Sequence, residues 1–236
     1  AAGLVLPLPA DLLLSAGDRY LAANLNFLRA AVTPLNAPGS LQSRAQLHTR
    51  VARLNAKHED NYYFASGGLV WMGEVDVGQS VLAMAALARY WDPLPYFFQG
   101  ANEVYFNRDF LAGGRLVGLA AGVAQGRDKT FFTDLSAKLY SRSENLDIAI
   151  QYIRLLANGT TSKAFKQLLV KRVQRLEYLK ELRASAKRYS LQTGKPLQRF
   201  DQLINAGIRD EIPVDPTGIG YELDPSGLPT LTREKP

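Results

Sequence analysis

Three short pairings recur at an almost constant step: Val75-x-x-Gly78, Phe110-x-x-Gly113 and Leu146-x-x-Ala149, 35 and then 36 residues apart. In each, an apolar residue is followed three positions later by one with little or no side chain. That spacing puts both on one helix face and lets a neighbouring helix come close. A repeat of this length holds a helix, a turn and a second helix, so the echo predicts stacked helical hairpins. Stacks of this kind bury their core between neighbours and present extended surfaces for binding.

The rest of the composition fits a folded chain with a sizeable core: 236 residues, 47% of them apolar. The greasiest stretch, Leu4 to Leu14, is interrupted by Pro7, Pro9 and Asp11, so no run is long enough to cross a membrane. The first residue is Ala1 rather than Met, which fits removal of a signal peptide or membrane anchor. Cysteine is absent, which rules out disulfides, thiol nucleophiles and cysteine metal sites and suits an oxidising compartment. The net charge of +6 is concentrated: eleven Lys or Arg against two acids lie between Lys163 and Arg199. An electrostatic partner is therefore expected to meet that segment.

Apolar periodicity predicts a helix over 9–32, ended by Pro34 and Pro38, and a second over Ser40–Ala56 with Ser40 as its N-cap. Three hairpins come next. The first is 60–72 and 75–90 about Gly73, the second 94–106 and 109–124, and the third 130–141 and 144–157 after Gly126-Arg127-Asp128. Small residues at Ser66, Ala101 and Ala137 precede bulky Trp71, Phe106 and Tyr140, a pairing by which hairpin helices interlock. A long amphipathic helix is expected over 162–191, then a short one over 197–205. Asp215-Pro216-Thr217-Gly218 and Asp224-Pro225-Ser226-Gly227 read as turns around a small β-hairpin.

The central segments Met72-Gly73-Glu74-Val75-Asp76-Val77-Gly78 and Asn107-Arg108-Asp109-Phe110-Leu111-Ala112-Gly113 resemble the interhelix turn and following helix of tetratricopeptide proteins. They depart from that family in having Gly78 and Gly113 where alanine is usual, and in repeats one or two residues too long. Further on, Thr193-Gly194-Lys195-Pro196, Phe200-Asp201-x-Leu203, Ile212-Pro213-x-Asp215-Pro216 and Gly218-x-Gly220-Tyr221 resemble a tail of bacterial envelope tetratricopeptide proteins and the C-terminal region of type II secretion pseudopilins. The stretch Asp18 to Ala30 resembles the start of the same envelope proteins, where it lies just beyond a membrane anchor. These likenesses imply a location at the periplasmic face of a bacterial inner membrane.

Chemistry-bearing constellations are sparse. His48 and His58 lie ten residues apart without a ligand spacing and read as solvated or capping residues, with Asp60-Asn61 as a helix cap. No nucleophile elbow, phosphate loop or dinucleotide fingerprint occurs. The Asp215 and Asp224 turns offer hard oxygens of the kind calcium takes, but Asp-Pro turns stand without metal far more often, so no metal or cofactor is expected. Lys163, Lys166, Lys171, Arg172, Arg175, Arg183, Lys187 and Arg188 form a basic surface that reads as a solvated face, an anionic membrane contact or a nucleic-acid contact.

The expected architecture is mostly α, an α-solenoid of tetratricopeptide-like hairpins with a small C-terminal α+β appendage. Its divisions fall at 1–39, 40–160, 161–208 and 209–236. The expected role is that of a non-enzymatic adaptor or scaffold in a membrane-associated envelope assembly, with protein partners and no small-molecule substrate. Tyr62, Tyr63, Phe97, Asn102 and Tyr105 are the expected partner contacts. The alternative is binding of nucleic acid or an anionic membrane through 163–188.

Overall fold

The computed structural model describes residues 5–34 and 39–232, and it is mostly helical with one small antiparallel sheet near the C-terminus. Two compact units divide the chain, the first running to Ser136 and the second beginning at Ala137.

In the first unit the helix expected over 9–32 is two helices, α1 (Leu8–Leu14) and α2 (Arg19–Val32). Ala16 and Gly17 take positive φ of 50° and 82°, which ends α1. Asp18 then restarts the helix, its carboxylate accepting from the Tyr20 and Leu21 backbone N–H groups at 2.8 and 3.2 Å. Helix α3 (Ser40–Leu54) packs on α2. Ser40 is not its N-cap: Gly39 holds that place, and Ser40 is the first helical residue, with a buried hydroxyl that has no partner. Pro38 lies outside the described residues.

The first hairpin begins with α4 (Glu59–Phe64). Its cap is His58, whose Nδ1 accepts from the Asn61 N–H at 3.3 Å, rather than the Asp60-Asn61 pair. The helix widens into a π turn at Ala65–Leu69, tightens into a 3-10 turn at Val70–Met72, and reverses at Gly73 into α5 (Val75–Ala88). The second hairpin repeats the plan: α6 (Leu94–Asn102), a π turn at Glu103–Asn107, a left-handed residue at Arg108, then α7 (Phe110–Val123). The expected boundaries stand within two residues at most ends.

The echo has a direct structural cause. A methyl group on Gly78 would overlap Val70 Cγ2, and one on Gly113 would overlap Val104 Cγ2, so each glycine receives a valine from the preceding helix. Helices α6 and α7 approach most closely where Gly100 and Gly113 face one another, and a Cβ on either would stand 2.9 Å from the other's carbonyl oxygen. Between α3 and the first hairpin the core is built from Ala45, Ala52, Tyr62, Leu69, Val81 and Leu82. Helix α8 (Gly126–Arg142) contains the boundary between the units, and within the first unit Ser136 Oγ donates to the Gly114 carbonyl at 2.7 Å.

In the second unit α9 (Leu146–Gly159) and α10 (Lys163–Thr193) pair antiparallel, as the Arg154–Glu177 ion pair and the Lys180–Asp147 ion pair at 2.5 Å require. The short helix expected over 197–205 is only α11 (Asp201–Asn205), while Leu197 is buried in the segment before it. Strands β1 (Tyr221–Leu223) and β2 (Pro229–Leu231) pair with Tyr221 opposite Leu231. Leu182, Ala186, Leu197 and Leu203 form the core that holds this appendage to α10.

Candidate functional site

A π turn lies late in the first helix of each of the two hairpins, next to the aromatic rings of the hairpin tip. One inserted residue rotates the later part of a helix by about 100° relative to the part before it. Side chains at the hairpin tip are thereby carried off the apolar stripe. Trp71, just past the first π turn, is 60% exposed, and Tyr105, inside the second, is 55% exposed. Phe106 stands 35 residues after Trp71, at the equivalent place in the next hairpin, and stacking of the hairpins brings the two together at 5.3 Å between ring centres. Trp71 lies 4.7 Å from Tyr105, and Tyr105 4.8 Å from Phe106. Three rings from two hairpins thus form one ledge, with half-exposed Met72 beside it.

A second row of rings runs through the same unit. Tyr62 stacks on Tyr63 at 4.6 Å, Tyr63 meets Phe98 at 5.7 Å, Phe98 meets Phe97 at 5.4 Å, and Phe97 meets Phe132 at 5.5 Å. This row connects most of the residues expected to touch a partner, but not at equal depth. Tyr63 is exposed and Phe97 is half-buried. Tyr62 is 1% exposed, and its hydroxyl donates to Asp92 Oδ2 at 2.8 Å beneath the Arg89 guanidinium. Burial and that carboxylate push its phenol well above the ordinary tyrosine range. Asn102 is also buried, donating to Gln79 Oε1 at 3.3 Å. Tyr62 and Asn102 therefore hold the fold together and are not open to a partner. Trp71 and Phe106, expected to interlock in the core, line the ledge instead. Their equal place in the repeat, beside Gly73 and Arg108, was the signal that could have found them.

The basic segment is also divided by the fold. Arg175 is buried against the tail, with Nε 2.7 Å from Asp215 Oδ2 in a charge contact whose N–H is out of line for a hydrogen bond. Its Nη2 donates to the Gly220 carbonyl at 3.1 Å, and Arg183 donates to the Pro229 carbonyl at 3.0 Å. Arg175 is thus not part of a basic surface, and Arg172 is half-buried. Exposed Lys163, Lys166 and Lys171 stand at one end of α10, and Lys187 and Arg188 at the other. Sixteen residues, about 24 Å of helix, separate Lys171 from Lys187.

Asp215 and Asp224 are occupied by their own turns. Asp215 accepts from Thr217 N–H and Oγ1 at 2.8 and 2.7 Å and from Gly220 N–H at 2.7 Å, and these bonds, with Arg175, hold its carboxyl below the usual range despite burial. Asp224 accepts from the Ser226 hydroxyl at 2.6 Å and from the Leu228 and Ser226 N–H groups at 2.9 and 2.8 Å, and these bonds lower its pKa. Among the described residues no three His, Asp or Glu side chains are gathered as a metal site would need. His48 is not solvated: it is fully buried, with Nδ1 2.9 Å from Asn61 Oδ1, and burial lowers its pKa. Among the described residues no helix is long and apolar enough to cross a membrane.

No protein-family model, curated protein or solved structure matches the chain.

Proposed function

We propose that the protein is a non-enzymatic adaptor of the tetratricopeptide-like class, holding a protein partner on the Trp71–Tyr105–Phe106 ledge within a bacterial envelope assembly. The observation that carries this reading is the ledge itself: three clustered rings from successive hairpins, two of them more than half exposed. Rigid aromatic side chains supply large contact area at small entropic cost, and Trp and Tyr are over-represented among residues that dominate binding energy. Tyr63 and Phe97 extend the apolar surface offered by the same helices.

The class assignment rests on the hairpin plan. A tetratricopeptide repeat spans 34 residues, whereas Gly78 and Gly113 are 35 apart, and the extra residue is accounted for by one π turn per first helix. The envelope location rests on the resemblance of the tail and of the Asp18–Ala30 stretch to envelope proteins.

The test is affinity purification from native membranes with wild type and with Trp71→Ala/Tyr105→Ala, followed by titration of the identified partner. Exposed rings contribute little to folding, so the variant is expected to keep its thermal midpoint while binding weakens by at least about thirtyfold. Unchanged affinity in a folded variant would remove the ledge from the interface.

A further inference from the structure

The end of the α9–α10 hairpin is where the basic segment stays free. No acid occurs from Ile148 to Leu176. The acids that bound this stretch are both already paired, Asp147 with Lys180 and Glu177 with Arg154. Lys163, Lys166 and Lys171, in the first three turns of α10, are exposed, and among the described residues none of them meets a carboxylate. Lysines in the first turn of a helix oppose its dipole, so Lys163 and Lys166 do not stabilise α10. The tail is bonded to α10 at Arg175 and Arg183, past this stretch.

Exposed aliphatic side chains stand among these cations. Lys163, Lys166 and Val170 are spaced i, i+3 and i+7, which puts them within an arc of about 60° on the outward side of α10, and Val170 is 52% exposed. Leu168, on the same two turns, is also exposed. In α9 the buried face is Leu146, Ala149, Ile150, Ile153 and Ala157, and Leu155 points the opposite way, 70% exposed. The kind of apolar group selects among anionic occupants. A nucleic-acid strand is held by cations interleaved with aromatic rings on which bases stack. Here the exposed apolar groups are aliphatic, and Phe165 is half-buried. An anionic bilayer interface takes both parts of this surface, phosphates against the ammonium groups and acyl chains against leucine and valine, with the lysine stems crossing the boundary.

We infer that the end of the α9–α10 hairpin seats the protein on an anionic lipid surface, entering the interface without spanning the membrane. The seat uses residues of the second unit only and does not depend on the aromatic ledge. The test is sedimentation of the full chain with phosphatidylcholine vesicles, with and without about 30% phosphatidylglycerol. Binding to the anionic vesicles is expected to be at least about thirtyfold stronger, as three lysines at a charged surface produce. Lys163→Glu/Lys166→Glu is expected to abolish that preference. Lys187→Glu/Arg188→Glu makes an equal charge change more than a Debye length away along α10 and is expected to leave the preference within about threefold. All four side chains are exposed, so both variants are expected to keep the wild-type circular dichroism and thermal midpoint. The chain has no cysteine, so Leu155→Cys can carry a single environment-sensitive dye, whose emission is expected to shift to the blue on anionic vesicles. Equal binding to both vesicles, binding indifferent to Lys163→Glu/Lys166→Glu, or equal loss in the two charge variants would overturn the inference. So would a dye at position 155 that stays in water while the chain is bound, or capture of a single-stranded RNA oligomer by a chain that ignores the anionic vesicles.

Discussion

Asp215 joins the tail turn to the long helix, and its effect on stability has a defined pH dependence. Its folded-state pKa lies below the unfolded value of about 3.9, so the carboxylate's contribution is complete above that value and is lost as pH falls through the folded pKa. Asp215→Asn leaves Arg175 buried without its counter-charge and is expected to cost about 3 kcal/mol at pH 7, shrinking towards pH 2 in urea titrations followed by circular dichroism. His48 gives a second acid-side loss at higher pH. Its pKa is also lowered on folding, by burial, so stability falls as pH drops below about 6.5, and His48→Gln is expected to flatten that slope. Backbone conformation gives a third case. Arg108 holds a φ of 57° where the first hairpin has Gly73, and Arg108→Gly is expected to stabilise the chain by about 1 kcal/mol. The Asp-Pro turns were legible in the sequence because their chemistry is local. The Arg175 partnership was not, since nothing in a run of basic residues marks the one that turns inward.

At the scale of elements, α2 shows how far periodicity reaches. Spacing located a helix there, but alanine and leucine both count as apolar, so the pattern could not say which side faces α3. Close approach of α2 and α3 requires the small side, and the structure buries Ala23 and Ala30 completely. This reverses the usual expectation for substitutions. Leu28→Gln is expected to change unfolding free energy by less than about 0.5 kcal/mol, whereas Ala23→Leu overpacks the contact and is expected to cost about 2 kcal/mol or more, both read from urea midpoints. The π turns were also hidden, because a single inserted residue has no composition of its own. Their trace in the sequence was a repeat slightly too long. The hairpin boundaries were readable because Gly73, Pro93 and the Asn107-Arg108-Asp109 turn break the helical pattern at the places where the chain reverses.

Over the whole molecule, the small residues of the echo and the exposed rings of the ledge arise from the same stacking. Gly78 and Gly113 let consecutive helices close on Val70 and Val104, and this fixes the hairpins so that Trp71 meets Tyr105 and Phe106. The mostly α fold with its small C-terminal sheet could be read from sequence, and so could the first two hairpins and the presence of exposed aromatic rings. Which of them form the ledge required knowing how the hairpins stack. Its most direct test is site-specific photo-crosslinking in living cells. A benzophenone amino acid is placed at Tyr105 and, as a control, at exposed Gln192 on α10. The account predicts a discrete crosslinked protein from position 105, lost when Trp71 is replaced by Ala, and none from 192. No product at 105, or the same product from both positions, would contradict it.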